Sequence, residues 1–122
     1  KRALVPKGET SWLTSGNTTV YLDLDGAKIG ILVCMDQLYP ELARETVRGG
    51  ADALVILVHA DTNAGIPMHH RVAQFRAIET GKYVAYASEM GMSAIMTPDG
   101  EINTKSGNGS METAKLGEWS HK

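Results

Sequence analysis

Runs of apolar residues divide the chain into short strands and two helices. Val20, Leu22 and Leu24 alternate with polar residues, and the dipeptide Asp25-Gly26 separates them from a second apolar run. Two apolar runs joined by Asp-Gly are typical of a β-hairpin. The same reasoning along the whole chain predicts six strands, at residues 20–24, 29–33, 53–58, 83–88, 93–96 and 101–105.

Two further segments have the spacing of helices. Pro40 fits the first turn of a helix that Gly49-Gly50 ends, and a second helix is predicted over residues 67–80, after a polar loop. The predicted core-facing stripe of this second helix consists of Met68, Val72 and Phe75, with the small residues Ala73 and Ala77 beside it. The order ββαβαβββ predicts an α/β fold.

Composition narrows the possible functions. The 122 residues carry a formal net charge of −2 and one cysteine, so a basic nucleic-acid-binding surface is not expected and an internal disulfide is excluded. The longest apolar run, residues 53–58, is far shorter than the roughly 18–20 residues of a membrane span. We therefore expect a soluble chain; its location is not readable from the sequence, although a cytoplasmic one is favoured.

The single cysteine, Cys34, lies where a predicted buried strand ends and a helix is about to begin. Backbone N–H groups at such a junction favour a thiolate and can donate to a developing oxyanion. The position is therefore suited to a nucleophile. A buried, inert cysteine is the alternative, because free cysteines are among the most buried residues in proteins.

The residues around the cysteine form a recognisable motif. In GILVCMDQLYPELARE an apolar strand leads to Cys34, then Asp36, then Tyr39-Pro40-Glu41 and Arg44. This segment resembles the nucleophile motif of the nitrilase superfamily, the carbon-nitrogen hydrolases.

Two more segments agree with that resemblance. KRALVPKGE is similar to the family's lysine segment, in which Lys1 and Glu9 take the places of the catalytic lysine and the auxiliary carboxylate. The residues of this segment are most similar to those of the apolipoprotein N-acyltransferase branch, although Lys7 stands where that branch has an aromatic residue. The stretch RAIETGKYVAYASEMGMSAIMTPDGEI resembles the segment that follows the family's active site.

The resemblance implies a fold and a domain organisation. We expect part of an α/β/β/α sandwich of the nitrilase type, with residues 1–105 forming the C-terminal portion of a carbon-nitrogen hydrolase domain. Residues 106–122 are expected to be a polar tail or arm, because Gly and Ser are frequent there and apolar periodicity is lost.

The resemblance also implies roles for individual residues. Cys34 would be the nucleophile and Lys1 the oxyanion donor, with Glu9 assisting, and the backbone N–H after Cys34 would be a second donor. Met35, Asp61 and His69 would contact a small amide or acyl substrate. No cofactor is implied. A metal site built on the His59 to His70 loop is chemically acceptable but ranks lower, since adjacent histidines of a helix rarely reach one ion.

One catalytic member is not found in the chain. The family's general base is a glutamate that precedes the lysine segment, and no glutamate here lies in a matching motif. We therefore expect the chain alone to be catalytically poor or inactive. The alternative is a non-catalytic, truncated domain that folds and self-associates; in either case a homo-oligomer is expected.

Overall fold

A computed structural model describes residues 1–4, 9–59, 65–88 and 93–105. Eight helices and strands lie in these ranges: β1 (Val20–Leu24), β2 (Ala27–Val33), α1 (Pro40–Arg48), β3 (Ala53–Val58), α2 (Gly65–Thr80), β4 (Val84–Ser88), β5 (Ala94–Met96) and β6 (Ile102–Lys105). Short 3₁₀ helices cover Glu9–Ser11 and Cys34–Leu38. The predicted order of elements is confirmed, with small shifts at their ends. The predicted tail, residues 106–122, lies outside the described residues.

The six strands form one mixed sheet in the order in which they occur along the chain. The central strands β2, β3 and β4 are parallel, and β1, β5 and β6 pair antiparallel. The predicted hairpin joins β1 to β2, with Asp25 at φ 48° and Gly26 at φ 85°. Two consecutive residues with positive φ match the turn whose twist suits a two-residue hairpin.

One face of the sheet is covered by α1 and α2. Alternate residues of β3, β4 and β5 pack beneath the helices and are almost fully buried: Leu54, Ile56, Val84, Tyr86 and Met96. Gly30 allows α1 to approach closely, because a Cβ at that position would lie 2.2 Å from Cγ2 of Thr46. This covered face forms the main core of the described chain.

The opposite face is apolar as well, but much of it is exposed. Val20 pairs with Ile31, which pairs with Val55, so these side chains share that face. Val20 is 51% exposed and Leu57, on β3, is 43% exposed. A sheet that is apolar on both faces is typical of a central layer. We call this surface the open face.

The predicted stripe of α2 is wrong in its orientation. Met68 and Phe75 are 51% and 59% exposed, whereas Ala73 and Ala77 are fully buried. The small alanines let the helix lie close to the sheet, and the larger apolar side chains point away from it. The helix also begins at Gly65, two residues before the predicted start at residue 67.

Among residues 1–4, 9–59, 65–88 and 93–105, no helix is long and apolar enough to cross a membrane.

Candidate active site

Cys34 occupies a strained position immediately after β2. Its φ is 50°, in the left-handed region that residues with a side chain rarely adopt, and it opens the 3₁₀ helix Cys34–Leu38. Such a conformation costs about 1–3 kcal/mol and persists only where the surrounding structure holds it. The thiol is partly buried and packs against the main core. The local geometry is therefore a sharp strand-to-helix turn with the cysteine at its apex.

Asp36 links this turn to the beginning of the chain. Asp36 is 4% exposed. One oxygen, Oδ1, accepts hydrogen bonds from the backbone N–H groups of Arg2 at 3.1 Å and Ala3 at 2.7 Å. The other oxygen, Oδ2, accepts the N–H of Val33 at 3.0 Å. We call this set of three hydrogen bonds the Asp36 tether. It attaches the segment that follows Lys1 to the turn that holds Cys34.

Lys1 is held through both its side chain and its backbone. Its ammonium forms an ion pair with Glu9, and only 11% of the lysine side chain is exposed. The carbonyl oxygen of Lys1 accepts the N–H of Gly16 at 2.7 Å. Glu9 begins the 3₁₀ helix Glu9–Ser11. The structure therefore brings the predicted lysine and auxiliary carboxylate together.

Gln37 connects the cysteine turn to α2. Its side chain is fully buried, and its Nε2 lies 2.7 Å from Nδ1 of His69. The backbone oxygen of Gln37 accepts a 2.7 Å hydrogen bond from Nε of Arg76, which also pairs with Glu79. Arg76 is itself 7% exposed, so α2 is joined to the turn by two polar contacts, one through His69 and one through Arg76.

The pKa of Tyr86 on β4 is affected by burial and by the charge of the nearby Cys34. Burial, and secondly the negative charge of a Cys34 thiolate, raises the pKa of Tyr86 to about 12, against a smaller opposing effect of Ser88. The ring of His70 packs edge-on against Tyr86 with centroids 4.6 Å apart. Cys34, Tyr86 and the start of α2 therefore lie in one neighbourhood.

His69 lies at the edge of this neighbourhood. Burial, and secondly the charge of His70, lowers the pKa of His69 below its ordinary value of 6.5. The physical reason is that a partly desolvated ring next to another imidazole is less easily charged. His69 is therefore expected to be neutral at neutral pH.

The remaining predicted site residues are placed as follows. Met35 is half-buried and comes directly after Cys34, whereas Asp61 lies outside the described residues. Two cavities near the Asp36 tether, of about 120 and 390 Å³, are not lined by Cys34. In the part of the chain that the structure describes, no group of three or more His, Cys, Asp or Glu side chains could hold a metal ion.

The sequence marks Asp36 only as a member of the motif that follows Cys34, and it does not single out Gln37. The contact of Asp36 with Val33 follows a spacing that is readable from the sequence, since an acid three residues into a helix often accepts the N–H of the capping residue. The contacts of Asp36 with Arg2 and of Gln37 with His69 span more than 30 residues and leave no local signal.

Comparison with known proteins identifies the family. The family model for carbon-nitrogen hydrolases matches residues 1–115. Omega-amidase NIT3 of Saccharomyces cerevisiae is 30% identical over 120 residues, which cover 86% of this chain and 41% of that protein. An apolipoprotein N-acyltransferase of Chromobacterium violaceum is 36% identical over 84 residues, covering 67% of this chain and 16% of that protein. The chain spans less than half the length of these relatives.

Solved structures agree on the fold. The crystal structure of Saccharomyces cerevisiae Nit3, a member of the nitrilase superfamily, superposes with a TM-score of 0.76 at 28% identity, covering 84% of this chain and 42% of that one. A Nesterenkonia amidase of the same superfamily gives a TM-score of 0.77 at 23% identity and covers 88% of this chain and 44% of its own. The expected nitrilase-type α/β fold is thus confirmed, and the chain belongs to the carbon-nitrogen hydrolase family of the nitrilase superfamily.

Proposed function

We propose that this chain provides the nucleophile and the oxyanion lysine of a cysteine-dependent amidase or N-acyltransferase. Residues 1–105 would form the C-terminal portion of the catalytic domain, and residues 106–122 a polar arm. The substrate would be a small molecule with an amide or acyl group. The relatives support both chemistries, since one is named an omega-amidase and another an N-acyltransferase.

In the proposed reaction the Cys34 thiolate attacks the carbonyl carbon of an amide. A C–S bond forms while the carbonyl π electrons move to oxygen, and Lys1 together with the backbone N–H of Met35 stabilises that oxyanion. Collapse of the tetrahedral species breaks the C–N bond, and the amine leaves with the proton that the general base has taken from the thiol. Water or an acceptor amine then attacks the carbonyl carbon of the thioester, the C–S bond breaks, and the acyl group leaves Cys34, which is again a thiolate. Glu9 would orient the lysine, while Asp61 and His69 would contact the substrate.

The observation that carries this proposal is the Asp36 tether. Two of its three hydrogen bonds come from the residues directly after Lys1, and the third comes from the residue directly before Cys34. Three N–H donors to one buried carboxylate fix the two segments relative to each other. Oxyanion stabilisation depends on such preorganisation.

A general base is still required for turnover. It deprotonates the thiol and later activates water, and none of the glutamates of the 122 residues lies in the family's base motif. We therefore propose that the chain by itself forms an acyl-enzyme slowly and hydrolyses amides negligibly. Robust amide hydrolysis by the 122-residue chain would contradict this part of the proposal.

Acylation of Cys34 by an activated ester tests the assignment directly. p-Nitrophenyl acetate should add one acetyl group, detected by intact mass, and Cys34→Ala should abolish it. Asp36→Asn should slow acylation about tenfold or more, because losing preorganised oxyanion donors costs at least that much. Asp52→Asn is the matched control, since Asp52 also accepts a backbone N–H, from Lys28 at 2.9 Å, away from the turn.

Two results would contradict the assignment. Equal acetylation of the Cys34→Ala variant would place the acyl group elsewhere. Equal rates for Asp36→Asn and Asp52→Asn would show that the Asp36 tether does not support the reaction. Alkylation by iodoacetamide needs no oxyanion donor. Dividing each acetylation rate by the alkylation rate of the same variant removes differences in access to the thiol.

The second candidate function is a non-catalytic domain that acts through assembly. The open face favours it, because Val20, Leu22 and Leu24 are each about half exposed along one strand. Contiguous exposed apolar surface marks an interaction site. A second copy of the chain is the proposed occupant, and the molecular mass in solution tests it.

A further inference from the structure

His69 and Gln37 form a polar contact within the neighbourhood of Cys34. Gln37 belongs to the same 3₁₀ helix as Cys34, and His69 precedes His70, whose ring packs on Tyr86. The 2.7 Å separation joins Nε2 of the amide to Nδ1 of the imidazole. With the amide in this orientation Nε2 donates, so Nδ1 accepts and carries no proton.

The alternative orientation of the Gln37 amide is less favourable. In the orientation observed, Oε1 has no hydrogen-bond partner among the described residues. Turning the amide over would pair the oxygen with Nδ1–H but would leave the two N–H donors of a fully buried side chain facing the place that Oε1 now occupies. Buried N–H groups without partners are rarer than buried oxygens without partners. The observed orientation is therefore the one that the burial supports.

We propose that Gln37 is a positioning residue that holds His69 as the neutral tautomer with its proton on Nε2, so that His69 presents one uncharged N–H donor to the acyl substrate. Nδ1 is occupied by Gln37, and Nε2 is therefore the ring nitrogen left for a ligand. This inference rests on the proposed function of Cys34. It adds a preference for acyl groups that carry a hydrogen-bond-accepting oxygen beyond the reacting carbonyl.

Both residues of the Gln37–His69 contact are fixed by the surrounding structure, which supports the proposal. Gln37 is fully buried, and Arg76, itself almost buried, binds its backbone oxygen. His69 lies on the regular helix α2 rather than on a loop. A donor held by a rigid backbone and a second hydrogen bond loses little conformational freedom when a substrate binds.

The imidazole tautomer can be measured by ¹⁵N NMR above the ordinary histidine pKa of 6.5. The His69 resonances, assigned by their loss in His69→Phe, should show a protonated Nε2 and an unprotonated Nδ1. Gln37→Glu should move the proton to Nδ1, because a carboxylate can only accept. Gln74→Leu removes a comparable hydrogen bond of α2, from Gln74 Nε2 to the oxygen of Gly100, and should leave the His69 tautomer unchanged. A His69 tautomer that is the same in the parent chain and in Gln37→Glu would overturn the proposal.

Acylation rates test the preference. p-Nitrophenyl methoxyacetate is compared with the butyrate, and the 3-methoxypropionate with the pentanoate, since each pair replaces one CH₂ by oxygen. Each pair gives a ratio of the acylation rate of the ester with oxygen to that of the ester with CH₂. Dividing the ratio of a variant by the ratio of the parent chain removes the difference in intrinsic reactivity between the two esters. For at least one pair the ratio should fall about fivefold in Gln37→Leu and in His69→Phe, as expected for one hydrogen bond, and stay constant in Gln74→Leu.

The outcomes separate this inference from the function on which it rests. Failure of every ester to acylate Cys34 would refute the proposed function, while the NMR measurement would still report the tautomer. Normal acylation with unchanged ratios in both variants would refute the preference and leave the nucleophile assignment intact.

Discussion

The two faces of the sheet differ in burial although both are apolar. On the covered face Leu54 and Ile56 are fully buried beneath the helices. On the open face Leu57, from the same strand, is 43% exposed. Side chains alternate between the two faces along β3, so these residues have the same local structure. They differ in whether helices lie over them.

The comparison shows which face of the sheet holds the residues of the candidate site in place. The residues around Cys34 are joined to the covered face: Cys34 packs against its core, and Gln37 is bound by α2. Hydrophobic burial there positions the polar contacts of the site. The open face contributes apolar surface that is available for association.

The largest expected effect compares two leucines of β3. Leu54→Ala should lower the free energy of unfolding by about 2–5 kcal/mol, because it removes a fully buried side chain and leaves a cavity. Leu57→Ala should lower it by less than about 1 kcal/mol. Urea unfolding of the two variants measures the difference, and equal losses would show that the open face is covered in solution.

A smaller effect is expected for self-association through the open face. Leu22→Lys places a charge in the middle of β1 and should weaken a dimer about tenfold or more, since desolvating an unpaired charge is costly. Analytical ultracentrifugation over a dilution series measures the dissociation constant. Asp23→Lys, at the next residue of the strand and on the other side of the sheet, is the control for added charge. Equal weakening by both variants would argue against an interface on this face.

The smallest expected effect is a dependence of the free energy of unfolding on pH. It involves His69 of α2, the helix that lies on the covered face. Because burial lowers the pKa of His69, the folded chain binds its proton less readily than the unfolded chain does. Stability should therefore fall as the pH drops below 6.5 and recover as the pH rises above it. Thermal unfolding at several pH values should show a shallower dependence in His69→Leu, and an unchanged one in Leu57→Ala. A steeper dependence in His69→Leu would reverse the sign of this argument.

Most of the fold could be predicted because its signals are local. Asp25-Gly26 between apolar runs, Pro40 at a helix start and the continuous run of β3 each specify their own element. The orientation of α2 was predicted wrongly because the helix has two apolar sides. Which side meets the sheet is decided by close approach of the backbones, and that favours Ala73 and Ala77 over Phe75.

The candidate site could be predicted only in part. Cys34 is marked by its position at the end of an apolar strand, and Lys1 and Glu9 only by resemblance to the family. The roles of these residues stay predictions. The contacts of Asp36 with Arg2 and Ala3 and that of Gln37 with His69 could not be predicted, because each joins residues more than 30 positions apart and depends on how the elements pack.

The Asp36 tether has a consequence for which substitutions the chain can tolerate. Asp36 binds the backbone of Arg2 and Ala3 and not their side chains. Almost any residue at these two positions supplies the same N–H donor, and proline alone lacks it. A substitution other than proline at either position therefore keeps the donor to Asp36, whereas a proline would remove one of the three hydrogen bonds of the Asp36 tether.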